Sequence, residues 1–297
     1  VTMCIMGNLK LSLRSIGEHF KIFAYTKTQT VHAYYQQEQP EDAGKAILVP
    51  LPLETDTQKI LSKPQVIPKE NLLIHDKHHN YNVGLIKNVH EKRTQWSVII
   101  KSNPIVYKEN GNFLLSDYRV KLEQDDNKWI SAKDKNIENI QKSIVKSEDN
   151  VMRVISTIYQ YVLNTLTYGN PIEGLYSYKD ALEKGRVDCG GFGTLLAALL
   201  GNAGIPNRLV VGFCTVSDKS NNLSMHAWNE AYLPDGSVVP LDPSIEWKRQ
   251  RGQTNRWGGF GYVGSDRVVV SYGVDHHIKI NNKEYTFPIL QHPVIIE

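Results

Sequence analysis

The 297-residue sequence predicts an α+β protein in which an N-terminal antiparallel β-sandwich precedes a domain of helices followed by strands. Three observations carry that expectation. Segments such as "FKIFAYT", "KAILVPLPL", "QWSVIIKS" and "FLLSDYRVKLE", separated by turn signals that include Asn110-Gly111, read as strands, and no helical period interrupts them. Val151, Val154, Ile155, Ile158, Val162 and Leu166 then recur at helical spacing, as do Phe192, Leu195, Leu196, Leu199 and Leu200. Beyond these helices come the strand-like runs "RLVVGFCTV", "MHAWNEAYL", "SVVPLDPS" and "RVVVSYG".

Composition sets the boundaries. Residues 1–125 form the expected sandwich, and 148–297 the helix-then-strand domain. Between them, the polar, lysine-rich stretch "EQDDNKWISAKDKNIENIQKSIVKSED" suits a connector over 126–147, with room for a short helix of its own. Ser147 and Asp149 are candidate caps for the first helix and Asp188 for the second, which Gly201, Asn202, Gly204 and Pro206 bring to an end.

With 41% hydrophobic and 22% charged residues, the chain has ample material for a core. A net charge of +3 and a pI near 8.5, with lysines and carboxylates interspersed, argue against a nucleic-acid or membrane partner. The basic run "KRQRGQTNR" at 248–256 reads as a solvated turn. Three cysteines, Cys4, Cys189 and Cys214, exclude a disulfide framework and leave at least one free thiol. No run approaches the ~20 apolar residues of a membrane span, and no signal peptide heads the chain. The chain begins at Val1 rather than methionine, and an exported location, its leader removed, is favoured over a cytoplasmic one. Oligomeric state is left open.

Cys189 is the residue that most invites chemistry. Capped by Asp188, it falls in the first turn of the second helix, where unpaired N–H groups and the helix dipole favour an anion such as a thiolate. Gly190, Gly191 and Gly193 each weaken that turn by about 1 kcal/mol relative to alanine, so helix stability does not select them. They do allow close approach of a neighbouring segment.

A cysteine nucleophile needs a base and a group that orients the base. One hairpin offers both. In the turn Leu233-Pro234-Asp235-Gly236-Ser237, proline suits the first loop position, aspartate the second, and glycine the left-handed third, so Leu233 pairs with Ser237. Counting outward places Trp228 opposite Asp242, with His226 two residues further on the same face and within side-chain reach of Asp242. A two-residue loop would shift the register by one and put them on opposite faces.

The stretches "GRVDCGGFGTLLAALLGNAGIPNRLVVGF", "MHAWNEAYLPDG" and "VVPLDPS" resemble the core of the transglutaminase-like superfamily of papain-type cysteine enzymes, over about 148 to 275. "ILVPLPLETDTQKIL" resembles the β-sandwich that precedes this core in bacterial members. The resemblance implies a transglutaminase-like, papain-type α+β catalytic domain with a Cys189-His226-Asp242 triad and no cofactor or metal. A peptide or protein substrate and a thioester acyl-enzyme are implied too. Hydrolysis is the preferred outcome. The alternatives are a protein-glutamine acyl transferase and a non-catalytic member that binds protein or glycan.

A backbone N–H of the cysteine helix, at Gly190, is implied as an oxyanion donor. Six residues before the cysteine, where papain-type enzymes often place glutamine, stands Glu183, which cannot donate when ionised. Tyr168, Tyr176 and Tyr178 are substitutes for that donor, and Trp228 joins Tyr168 and Tyr178 among the expected cleft residues. His75, His78 and His79 read as an exposed loop, as do Asp275, His276 and His277, and Cys214 reads as core.

Overall fold

The computed structural model describes residues 26–36, 45–67, 73–78, 80–87, 93–108, 111–119, 126–215, 223–280 and 282–296. Its strands of three or more residues are β1 (Lys27–Gln36), β2 (Ala46–Pro50), β3 (Gln58–Ile60), β4 (Gln65–Ile67), β5 (Leu73–His78), β6 (Tyr81–Ile86) and β7 (Arg93–Ser102) in the first part of the chain. The second part supplies β8 (Asn207–Thr215), β9 (Leu223–Tyr232), β10 (Val238–Leu241), β11 (Arg267–Tyr272), β12 (His276–Ile280), β13 (Lys283–Phe287) and β14 (Val294–Ile296). The α-helices are α1 (Lys135–Val145), α2 (Val151–Thr165), α3 (Tyr178–Lys184), α4 (Cys189–Asn202) and α5 (Pro243–Gln250).

Among the described residues, eight antiparallel strands form one sheet in the order β10-β9-β8-β11-β6-β2-β14, with β5 also on β6. A four-stranded sheet, β1-β7-β3 with β4 also on β7, covers part of one face. Apolar side chains close the gap between the sheets: Trp96 of β7 meets Ile47, Val49 and Ile86, and further along β7 Val98 and Ile100 meet Val268 and Val270. These are period-two positions of facing strands, which is how two sheets share a core. The sandwich is completed from the other end of the chain, because β11 lies under β7 and β14 pairs with β2.

The helices form a separate apolar layer around α4. Every residue from Gly190 to Gly201 is buried, so α4 is apolar on all sides and is enclosed by β8, β9 and the other helices. Each fully buried leucine or phenylalanine there contributes about 1.5 to 3 kcal/mol of transfer free energy. The α4 glycines allow this enclosure: a Cβ on Gly191 would sit 2.6 Å from the Val187 side chain, and one on Gly193 2.4 Å from Leu209 Cδ1.

Several local expectations differ from the structure. Most of "FKIFAYT" lies outside the described residues. The described part of "FLLSDYRVKLE", residues 113–119, holds a 3-10 turn at Leu115–Asp117 instead of the expected strand, because Asp117 accepts the Leu114 N–H at 2.7 Å and this local bond competes with strand pairing; residues 120–123 lie outside the described residues. The connector stretch does carry a helix, α1, which is capped by Asp134 and buries Ile137 and Val145 in the helical core rather than only crossing the surface. The cap of α2 is Asn150, which accepts from Arg153 N at 3.0 Å, rather than Ser147 or Asp149. His75 and His78 lie on β5 rather than in a loop, and His79 lies outside the described residues; His276 and His277 lie on β12, where His276 is buried rather than exposed.

One glycine stitches β8 and β9 to the rest. At the bulge between Val211 and Gly212, a Cβ on Gly212 would lie 1.8 Å from the Val268 carbonyl oxygen, a backbone atom with no rotamer to yield. Gly212→Ala should therefore destabilise the protein by about 2 kcal/mol or more. Urea unfolding with an unchanged midpoint would contradict this account of the β8–β11 seam.

Candidate active site

The turn after β9 fixes the geometry of the site. Leu233 N donates to Ser237 O at 2.9 Å, Gly236 N donates to Leu233 O at 2.9 Å, and Gly236 takes the left-handed conformation with φ 84°. β9 and β10 then pair from Tyr232↔Val238 to Asn229↔Leu241. Continued one step, that register sets Trp228 against Asp242 and leaves His226 on the same face. The two side chains meet: His226 Nε2 and Asp242 Oδ2 are 2.8 Å apart, and both residues are buried.

Asp242 is also the N-cap of α5, with Pro243 at the first helical position, where a missing N–H costs nothing. Its Oδ1 accepts from Ile245 N at 3.1 Å and from the Ser244 hydroxyl at 3.2 Å. Its Oδ2 accepts from Arg267 Nη2 at 2.9 Å as well as facing His226. With Nε2 committed to Asp242, Nδ1 is the imidazole nitrogen left for chemistry.

Cys189 is the first residue of α4. Asp188 caps the helix through Oδ1, which accepts from Gly190 N at 3.0 Å and Gly191 N at 3.4 Å. Its Oδ2 accepts from Ile172 N at 3.2 Å and pins the loop beside the cysteine. A cleft of about 480 Å³ opens here, with Tyr168, Ile172, Leu175, Cys189, Met225 and Ala227 among its walls. Cys189 and the residue after His226 thus line one cavity, and the Ala227 amide favours the thiolate form of the cysteine.

The electrostatics favour a neutral resting pair. Burial pushes the Cys189 thiol up to about 12, and the Asp188 carboxylate adds to the rise. The helix N-terminus acts in the opposite sense. Burial also lowers the pKa of His226 against the upward pull of Asp242, and Arg267 and Lys248 reinforce the lowering. Burial would raise Asp242, but His226 and Arg267 together hold its carboxyl far below the usual range.

The remaining expected cleft residues separate. Tyr168 lines the cavity, with Lys248 stacked 3.8 Å from its ring centre, and burial raises its phenol. Gly190 lines it too, but its N–H is already donated to Asp188. Tyr178 is buried in the helical core and gives its hydroxyl to Asp134 at 2.9 Å. Trp228, 1% exposed, is stacked on His226 with centroids 5.9 Å apart and belongs to the apolar cluster behind it, not to the cleft wall. Tyr176 donates to Asn170 O, and Glu183 is exposed on α3.

Two residues had no signal in the sequence. Gln291 reaches in from the far end of the chain and donates to the carbonyls of Gly212 at 2.6 Å and His226 at 3.0 Å, steadying the backbone of the histidine. Arg267 opens a strand that reads as purely apolar. The helix after Asp242 did have a signal: Asp-Pro-Ser matches a cap followed by proline at the first helical turn. Lys248 and Arg249, taken as part of a basic turn, lie on that helix.

Part of the chain and its overall fold are similar to known proteins. Residues 138–243 match the family described as the transglutaminase-like superfamily. Over that stretch the chain is similar to that superfamily. Among solved structures, a candidate cysteine protease from Cytophaga hutchinsonii shares the fold at 15% identity with a TM-score of 0.59, covering 92% of this chain and 88% of that one. The periplasmic domain of TgpA from Pseudomonas aeruginosa matches at 12% identity and a TM-score of 0.40, over 78% of this chain and 91% of that one. No curated protein sequence matches the chain. Among the described residues, no helix is long and apolar enough to cross a membrane.

The depressed pKa of Asp242 makes the fold acid-sensitive. A carboxyl lower in the folded state than its unfolded value near 3.9 contributes stability above about pH 4, and that contribution is lost as pH falls toward the folded value. Between pH 4 and 2, the wild-type unfolding free energy should drop more steeply than that of Asp242→Asn, by up to about 1.4 kcal/mol per pH unit. Urea titrations at several pH values check this. Parallel slopes would mean that Asp242 titrates as it does in the unfolded chain.

Proposed function

We propose that this protein is a cysteine hydrolase that cleaves peptide or amide bonds through a thioester acyl-enzyme. The observation that carries the reading is the 2.8 Å His226–Asp242 contact, which leaves imidazole Nδ1 as the base for a cysteine at the start of α4, in a cleft also lined by Met225 and Ala227 on either side of His226.

In this mechanism the thiol proton passes to Nδ1 of His226 as the Cys189 sulfur attacks the carbonyl carbon. The raised thiol and lowered imidazole support a resting pair of thiol and neutral base, with the proton transferred as the sulfur attacks. Asp242 holds the imidazole tautomer and stabilises the imidazolium that forms. The oxyanion is received by the amide of Cys189, which at the first helical position has no intrahelical partner, and by the hydroxyl of Tyr168, whose raised pKa keeps it a donor.

Collapse of the tetrahedral intermediate breaks the C–N bond, and the leaving amine takes the proton from His226. Water, deprotonated by His226, then attacks the thioester and releases the carboxylic acid and the thiol. An amine in place of water would make the same intermediate a transferase product. Hydrolysis is preferred because the open cleft admits water to the thioester.

A mixture of N-acetylated peptide amides, followed by mass spectrometry with and without an added primary amine, reads both outcomes. Cys189→Ala and His226→Ala should each remove nearly all turnover, by roughly 10⁴-fold or more, while Asp242→Asn should retain more residual rate than either. Turnover by His226→Ala at the wild-type rate would show that the base is another residue. Products consisting only of amine adducts would replace hydrolase by transferase.

A further inference from the structure

We infer that Arg267 is a positioning residue of the active site, whose guanidinium fork clamps Asp242 and keeps His226 a neutral base. The inference rests on the cysteine mechanism proposed above. Arg267 is 3% exposed and enters from the first position of β11, behind the histidine. Nη2 donates to Asp242 Oδ2 at 2.9 Å and to the Trp257 carbonyl at 2.9 Å, while Nη1 donates to Asp266 Oδ1 at 2.6 Å. Asp266 is in turn paired with Arg256. Gly258 roofs the clamp: a Cβ there would lie 2.8 Å from both Arg267 Nη2 and Asp242 Oδ2.

A structural ion pair would need only one carboxylate. Here the charges of Asp242, Asp266, Arg267 and Arg256 cancel as a set, which a buried cluster requires. The neutral form of His226 therefore completes a balanced group. Were Arg267 absent, the uncompensated charge of Asp242 would draw a proton onto His226 and fill the lone pair that the thiol proton must occupy. Arg267 also fixes rotation of the carboxylate, because its two arms span two separate anions at set angles. A lysine, with one point charge, cannot do the same.

The other ionisable groups near the pair come from several elements. Lys248 and Glu246 lie on α5, Cys189 on α4, Cys214 on β8, and Tyr159 on α2. Tyr168 and Tyr262 add phenols that sense Asp242. None of these is altered in the variants below, so a change in the titration of His226 reports on the clamp.

The test follows the His226 imidazole of the full chain by NMR from pH 4 to 9, assigned with His226→Gln, in wild type, Arg267→Gln, Arg267→Lys and Asp266→Asn. Arg267→Gln should raise the His226 midpoint by at least one pH unit, and Arg267→Lys by less. Asp266→Asn, which makes the cluster more cationic, should lower it. With the peptide-amide mixture, Arg267→Gln should lose at least tenfold in rate at neutral pH and recover part of that loss at alkaline pH. A merely structural arginine would lower the melting temperature and the rate at all pH values while leaving the midpoint in place, and that result would overturn the inference. If Arg267→Gln fails to fold, the opposite shifts of Arg267→Lys and Asp266→Asn decide it, and unmoved midpoints in both refute it. Cys189→Ala separates the two readings: full turnover in that variant refutes the cysteine mechanism, whereas a dead Cys189→Ala with unmoved His226 midpoints refutes the role of Arg267 alone.

Discussion

The carboxylate of Asp242 is completely buried, and its two oxygens serve two different structures. Oδ1 caps α5, satisfying Ile245 N and the Ser244 hydroxyl, while Oδ2 lies between His226 and Arg267. A buried carboxylate without partners would cost several kcal/mol and would neutralise itself by taking a proton. Here its acceptor sites are filled, so it stays ionised and its orientation is tied to the start of a helix. The imidazole inherits that orientation. A pair assembled this way holds its geometry independently of any ligand, which suits the acid–base role proposed for His226.

The larger fold supports the same point. β9 carries His226, and it is held on one side by β8 and on the other by β10, whose register comes from the Gly236 turn. Trp228 stacks behind the imidazole and excludes water from that side. α4 presents Cys189 from an enclosed, largely apolar helix. The sandwich strands contribute indirectly: β11 brings Arg267 to the carboxylate, and the segment before β14 brings Gln291 to the His226 carbonyl.

Much of this was legible in the residues themselves. The period of apolar positions marks α2 and α4, Asp188 reads as a cap, and the Pro-Asp-Gly turn yields the register that brings His226 to Asp242. These are short-range signals, each set by a few neighbouring side chains. Arg267 and Gln291 are different in kind. Each acts across a separation of dozens of residues, through contacts that only the folded sheet creates, and an arginine heading an apolar strand looks like any other edge charge. The 3-10 turn at Leu115–Asp117 went unread because one aspartate bond overrode a strand-like composition. The thiol pKa also could not be judged from helix position alone, since burial, a property of the whole fold, dominates it.

The most direct test of the central claim is a rapid-quench experiment with a peptide-amide substrate, followed by mapping of the modified protein by mass spectrometry. The mechanism predicts an acyl adduct on the peptide that carries Cys189, formed as the amine leaves and removed by hydroxylamine, with Cys214 unmodified. Substrate turnover with no adduct at Cys189, or an adduct on Cys214 instead, would contradict it.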